Sequence, residues 1–474
     1  MDRREAQSLY ESGKEPTVQK LLELDEHNRN LQAQLFSANL NSTNSSKPPS
    51  MDGPQVEKKQ RQPSGRKPGS QPGHPGKTRE LLPVEEMDSV EELYPDKCER
   101  CGLGLDPSVN QEPSGPLRHQ TFEIPEIKPI KTEYRSHVLE CSCGHCTRAQ
   151  LPPEVAHGNF GPKVHAAIAF LNSCHLGTRR GICEIMAALF GIDISLGALC
   201  CAIDRVCDAM EVPVAEIKQT LPEAPNLNID ETSGKSKGKR RIPWAFVSPL
   251  VVYFHIPTGR GAAVLSSVLG EVFAGIITSD DHSAYRSYHN GLRQLCWAHM
   301  IRKFIALAEA RGSPDACSFA DCMLAEIDRL FTHWHAFLAG VLTREELRHT
   351  TALIRERMKR LCLHYKSSKD EAISSRASRT LENWSHLFTF IFHEGAEPTN
   401  NIAERALRYA VQWRKICFGS ESTDGERFNE RILTVTRTCR LQGRNPYHFL
   451  YQLMDATFKN TPLPSLVKAA CSPR

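Results

Sequence analysis

The chain has 474 residues, 40% hydrophobic and 24% charged, with a formal net charge of +4. That suits a globular protein of two to four domains with at least one sizeable core. It excludes a uniformly basic binder and a membrane-spanning chain, since no apolar run approaches the roughly 18 residues a span needs. The N-terminal MDRREAQSLYESGKE lacks the apolar stretch of a signal peptide, so a cytosolic protein is expected. Its 17 cysteines are then thiols or metal ligands rather than disulfides.

In chain order, residues 1–40 come first. Leu21, Leu24, Asn28, Leu31 and Leu35 are spaced 3, 4, 3 and 4 apart, an a/d seam with Asn at an a position. The spacing predicts a short coiled coil and self-association, against an isolated amphipathic helix. Residues 41–80 read as a linker, Ser/Pro/Asn-rich and then basic. KKQRQPSGRKPGSQPGHPGKTR (58–79) has seven Lys or Arg, no acid, and Pro or Gly at eight positions. Lys58, Lys59, Arg66 and Lys67 there can neutralise nucleic-acid phosphates without reading sequence. A solvated linker is the plainer account.

Residues 81–155 hold CERCG (98–102) and CSCGHC (141–146) around an alternating, strand-like segment. Two cysteine turns about 40 residues apart predict a structural zinc ribbon. Cys98 and Cys101 supply one half, and two of Cys141, Cys143 and Cys146 the other. Residues 156–222 read as helical. RRGICEIMAALFGIDISLGALCCAI predicts a helix, a turn at Gly191 and a second helix capped by Ser195, either a helix-turn-helix or an ordinary helical hairpin.

From 223 to 303 the pattern becomes α/β. NLNIDET predicts a strand and SGKSKGKRR a basic loop. WAFVSPLVVYFHI predicts one or two strands broken at Pro249, AAVLSSVLGEVF a helix and GIITSDD a further strand. Residues 304–395 read as mainly helical, as do 396–474. In EPTNNIAERALRYAVQWRK, Asn401 can serve as an N-cap and Glu404 falls where a capping-box acid sits.

Glu404 has a second possible role. Asp230 ends the first strand, with Glu231 on its opposite face, and Asp280 and Asp281 end a later one. Carboxylates from two strand ends and a helix would make a hard oxygen cage suited to Mg²⁺ or Mn²⁺. Two such ions about 4 Å apart can activate water or a 3′-hydroxyl and stabilise the leaving oxygen in phosphoryl transfer.

Over nearly its whole length the chain resembles the insertion-sequence-66 family of bacterial transposases. The stretches that carry this are NSSKPPSMDG, RKPGSQPGHPG, CERCG with CSCG, IDET, SDDHSAYRSY, CWAHMIRKF, PTNNIAERALR and RKICFGS, in that order. The resemblance implies a DDE catalytic domain of ribonuclease-H-like fold with a helical insertion (304–395) before the last acid. The coiled coil, zinc ribbon and helical DNA-binding region would precede it. It matches Asp230 to the first aspartate, Asp280 to the second (Tyr285 follows five residues later) and Glu404 to the third acid. His282 stands where the family usually has an aromatic residue. Arg302, Lys303, Arg408 and Lys415 would then carry DNA phosphates past two Mg²⁺ ions. The implied protein is bacterial and nucleoid-associated, cutting and joining strands at an element's terminal repeats and in target DNA, with partner proteins from the same element. An inactive zinc-ribbon DNA-binding protein and a nuclease that cuts without joining are the competing expectations.

Overall fold

The computed structural model describes residues 79–109, 116–152 and 158–467 apart from 289–290 and 310–313, together with 154–155 and scattered positions from 7 to 27. Most of the expected coiled coil and all of Lys58, Lys59, Arg66 and Lys67 lie outside the described residues. The chain divides into two compact units, residues 57–128 and the remainder.

In the smaller unit the backbone is mostly irregular. Gln120 brackets Leu82, accepting its N–H at 2.9 Å and donating to its carbonyl at 2.9 Å. The Arg79 guanidinium lies 3.4 Å from the centre of the Phe122 ring.

From residue 129 onward the larger unit first forms a hairpin, β1 (Val138–Glu140) and β2 (Cys146–Arg148). Four helices follow: α1 (Pro162–Cys174), α2 (Arg179–Phe190), α3 (Leu196–Ala209) and α4 (Glu211–Thr220). The expected turn forms between α2 and α3. Gly191 takes φ 61, and the Ser195 hydroxyl accepts the Ala198 N–H at 3.2 Å. The exposed side of α3 carries Asp204, Arg205 and Asp208, a mixed charge rather than a basic face.

Next come β3 (Asn226–Glu231), a small hairpin of β4 (Gly234–Ser236) and β5 (Lys239–Arg241), then β6 (Trp244–Val247) and β7 (Val252–His255). They are followed by α5 (Ala262–Leu269), β8 (Ile276–Ser279), α6 (Ser283–Tyr288) and β9 (Arg293–Leu295). The main sheet has the order β7-β6-β3-β8-β9. β3, β6 and β7 pair antiparallel, while β3, β8 and β9 run parallel. Alternation explains why β6 is apolar at every position. Trp244 and Phe246 enter the core shared with α1, α3 and α5, and Ala245 and Val247 enter a second core on the other face.

A helical stretch follows β9: α7 (Trp297–Glu309), α8 (Pro314–Leu338), α9 (Arg344–Thr350), α10 (Ala352–Tyr365), α11 (Glu371–Glu382) and two one-turn helices, Trp384–Leu387 and Thr389–Phe392. It has its own core around Trp297, Phe304, Phe319 and Phe390. It returns to the edge it left. The Gln294 side chain accepts the Phe390 N–H at 2.9 Å and donates to the Leu387 carbonyl at 3.0 Å, and Trp297 Nε1 donates to the same carbonyl at 2.7 Å.

Three helices close the unit: α12 (Asn401–Cys417), α13 (Thr423–Leu441) and α14 (Pro446–Lys459). Ala403, Ala406 and Ala410 let α12 approach the sheet closely. α13 covers the β7 edge with a row spaced by four. Thr438, Thr434 and Glu430 accept the N–H groups of Val252, Phe254 and Ile256 at 3.0, 3.0 and 2.8 Å. An edge that could recruit another strand is thereby satisfied.

Candidate active site

β3 and β8 place the two aspartates by register. Asn228 pairs with Thr278 in a parallel ladder, so two residues on Asp230 and Asp280 leave the sheet side by side on one face. Asp280 accepts the His282 N–H at 3.0 Å, which fixes its carboxylate at the strand end. His282 Nδ1 in turn accepts the Ala284 N–H at 3.2 Å, so this residue caps the turn into α6. Asp281 is committed elsewhere, paired with Arg286 at 2.9 Å.

Glu404 arrives from the first turn of α12. The cap expectation is corrected here. Asn401 is exposed and lies inside the helix; the cap position is Asn400, and no side-chain cap bond forms. Asn400 is fully buried and faces the sheet instead. Its amide donates to the Ile229 carbonyl at 2.8 Å, and its carbonyl oxygen accepts from Asn228 Nδ2 at 3.2 Å. The Asn400 backbone N–H donates to Cys296 Sγ at 3.2 Å, and Trp297 N–H donates to the Pro398 carbonyl at 2.9 Å. The sheet thus sets where Glu404 enters.

The electrostatics report the convergence. Burial raises the Asp230 pKa well above the carboxylate range, and the charges of Glu231, Asp280 and Glu404 push it further. Asp280 is raised by burial and then by Glu231, with His299 opposing. Glu231 points away from the aspartates' face and is almost fully buried. It accepts from Tyr285 Oη at 2.5 Å and pairs with Arg260 at 2.7 Å. Glu404 is about one-third exposed, with His299 Nδ1 at 3.7 Å and Arg302 Nη2 at 3.5 Å from its carboxylate.

Sequence reasoning passed over Asn400, Cys296, His299 and the Tyr285–Glu231 contact. The only available signal was the Cys-x-x-His spacing inside CWAHMIRKF. Ligand atoms of Cys296, His299 and Glu404 lie within 4.8 Å of one another. Burial pushes the Cys296 thiol up and the His299 pKa down to about 4, so both are held neutral. With Cys296 accepting from Asn400, this trio serves first as a joint between α7 and α12.

The basic candidates separate. Arg302 and Lys303 are half-buried, whereas Arg408 and Lys415 are exposed along α12. Burial lowers the Lys303 pKa, and Arg376 and Arg379 of α11 add to it against Asp281 and Asp280. The insertion therefore brings cations up to the strand-end carboxylates.

Each cysteine motif forms a turn closed by a positive-φ glycine, Gly102 at 73° and Gly144 at 83°. Cys98 N–H donates to the Leu103 carbonyl at 2.8 Å, and Cys141 N–H to the His145 carbonyl at 2.9 Å. The backbone N–H of Cys101 lowers the Cys98 pKa, and that of Cys143 lowers the Cys141 pKa. The turns belong to different compact units, Cys98 and Cys101 to one and Cys141, Cys143 and Cys146 to the other.

This is a mixed α/β protein with a half-buried acidic site at the carboxyl ends of its central strands. The chain belongs to the transposase IS66 family, whose family model matches residues 157–427 and so includes Asp230, Asp280 and Glu404. Residues 3–80 match a second model, a family of unknown function (DUF6444). Three uncharacterized proteins of Sinorhizobium fredii (strain NBRC 101917 / NGR234) are similar in sequence. The protein y4jD is 23% identical over 45% of this chain and 43% of its own length. The protein y4qI is 25% identical over 57% and 55% respectively, and y4hP 23% over 76% and 70%. The chain thus spans about half the length of the first two relatives. Among the described residues no helix is long and apolar enough to cross a membrane.

Proposed function

We propose that the chain is a DDE transposase that cuts and joins DNA strands at the ends of an insertion sequence. One observation carries the reading: Asp230, Asp280 and Glu404, distant in sequence, meet at the ends of two parallel strands and the start of one helix. The strand order supports it too. A central strand with two antiparallel strands on one side and two parallel strands on the other is a ribonuclease-H-like arrangement, here with helices inserted between β9 and α12.

The donor set fits Mg²⁺ or Mn²⁺, since it consists of hard oxygens; burial first, and neighbouring carboxylates second, raise the pKa values of its aspartates. Two bound ions would lower the pKa of an attacking water or 3′-hydroxyl and stabilise the leaving oxygen. Asp230, Asp280 and Glu404 would hold them. Asn400 fixes the entry of Glu404, and Arg302, Lys303, Arg408 and Lys415 neutralise DNA phosphates, giving a steep salt dependence. The basic linker and the α2–α3 region bind terminal repeats, the N-terminal heptad self-associates, and proteins of the same element assist.

Strand transfer with Mg²⁺ and labelled element ends tests this. Wild type is expected to join ends, and Glu404→Gln to bind them without joining. Equal joining by both proteins would remove Glu404 from the site. Binding without reaction by both would favour an inactive DNA-binding protein, and cutting without joining a nuclease.

The cysteine turns belong to the same proposal, as ligands of structural zinc. That Cys143 lowers the Cys141 pKa supports Cys141 and Cys143 ahead of Cys146 as the second pair. Elemental analysis is expected to find about one zinc per chain, lost in Cys141→Ser and kept in Cys146→Ser. Equal loss from both would place Cys146 among the ligands.

A further inference from the structure

The β4–β5 hairpin carries a charge run that the catalytic reading leaves unused. Lys235, Lys237, Lys239 and Arg240 are exposed. Among the described residues the hairpin's ion pair is that of the half-buried Arg241, whose Nε lies 3.0 Å from Glu426 Oε2. The tip is Lys237–Gly238, with φ 47° and 72°, the signs of a type I′ turn. Asn-Gly is the comfortable sequence for that turn. A lysine there accepts an unfavourable backbone to put a charge at the tip.

A second strained residue lies beside it. Phe418 ends α12 at φ 56° and is 82% exposed. The next residues are fastened to the hairpin. Lys237 N–H donates to the Ser420 carbonyl at 2.9 Å, and Ser420 N–H donates to the Lys235 carbonyl at 3.1 Å. A Cβ on Gly419 would sit 2.2 Å from the Lys235 carbonyl oxygen, so only glycine allows this approach. Arg414 Nη1 reaches the Ser233 carbonyl at 2.5 Å. Hairpin, loop and helix end therefore form one rigid piece, with Glu421 its nearest exposed acid in sequence.

α12 connects this piece to the acidic site. From Glu404 to Phe418 the helix rises about 20 Å, which spans roughly six base pairs of DNA. Arg405, Arg408, Gln412 and Lys415 are exposed along the way. Cations at a hairpin tip beside a bare aromatic ring on a fastened backbone match the needs of an unpaired strand, phosphate neutralisation and a stacking platform.

We propose that the β4–β5 hairpin and Phe418 clamp single-stranded or frayed DNA leaving the active site, the cations on phosphates and the ring on a base. The clamp rests on the transposase reading above for its substrate, and its test is separable. The full chain is titrated with two probes, a blunt duplex and the same duplex with a single-stranded tail containing 2-aminopurine. Phe418→Ala is expected to weaken tailed-duplex binding about 5- to 100-fold and abolish the fluorescence change, with blunt duplex unaffected and Phe418→Tyr near wild type. Lys237→Asn keeps the turn and should reduce the salt slope by about one. Unchanged tailed-duplex binding by Phe418→Ala would overturn the clamp. So would a Phe418→Ala chain that loses self-association in sedimentation yet binds tailed DNA normally, since Phe418 would then be a subunit contact. Absence of strand transfer by wild type would sink the transposase reading, while these binding ratios still decide the clamp.

Discussion

Asp230→Asn is expected to abolish strand cleavage while raising the melting temperature of the metal-free protein. Removing a ligand from the acidic site should cost roughly 10³-fold or more in rate, about 4 kcal/mol of barrier. The stability change has the opposite sign because Asp230 is buried among Glu231, Asp280 and Glu404. Its folded pKa is raised, so the folded chain prefers the protonated form more than the unfolded chain does. Below the unfolded pKa the charge costs nothing. As pH rises from there through the folded pKa, the metal-free protein loses stability. Asparagine removes that cost, at roughly 2–4 °C per kcal/mol relieved. Calorimetry at neutral pH in EDTA reads it directly. Added Mg²⁺ should then stabilise wild type by ~1.4 kcal/mol at ten times its Kd, and the variant far less. A variant that melts below wild type in EDTA would mean that the Asp230 carboxylate is a structural partner and not a site held ready for cations.

Where apolar periodicity and tertiary packing agree, the fold was legible. NLNIDET gave β3 because Leu227 and Ile229 alternate into a core, and WAFVSPLVVYFHI gave β6 and β7 with a break where Ser248 turns the chain. β9 was missed because RQL has no apolar alternation; its buried Gln294 is satisfied by the distant Leu387 carbonyl and Phe390 N–H, while the buried Arg293 keeps Nε and Nη2 without a hydrogen-bond partner among the described residues. The β4–β5 hairpin was read as a loop because its turn uses Lys-Gly in place of Asn-Gly. At the site, the acids could be picked out by position and resemblance, but their environment could not. Asp280 and Asp281 adjoin in sequence, and in the structure the strand register, the His282 N–H bond to Asp280 and the Arg286 pairing of Asp281 separate them. The insertion's Arg376 and Arg379 come near Lys303 through tertiary packing alone, about 75 residues later. The row Glu430, Thr434 and Thr438 that seals β7 reads in sequence as an ordinary polar helix face.

Asn400→Ala is expected to be the most damaging change at the base of the site outside the acids themselves. Sequence logic favours its neighbour: Asn401 looks like a cap, whose loss would cost about 1 kcal/mol. The structure reverses the two. Asn401 makes no cap bond and is exposed, so Asn401→Ala should stay within about 0.5 kcal/mol. Asn400 is buried, and its truncation removes the shorter bonds of the Ile229 carbonyl and the Asn228 amide, leaving those to Tyr285 Oη and the Thr399 carbonyl, both at 3.4 Å. Two lost hydrogen bonds at about 0.5–1.5 kcal/mol each suggest a loss of ~1–3 kcal/mol. The functional effect follows from the same bonds, because Asn400 joins β3, which carries Asp230, to α12, which carries Glu404. A shift of about 1 Å in Glu404 is enough for a rate loss on the order of 10²-fold. DNA binding should survive, since Arg408, Lys415 and the basic hairpin lie further along α12 and beyond it. Denaturant melts and single-turnover cleavage of the two alanine variants decide the matter. Equal, small effects at both positions would mean that the buried amide is incidental and that α12 is placed by its alanine face alone.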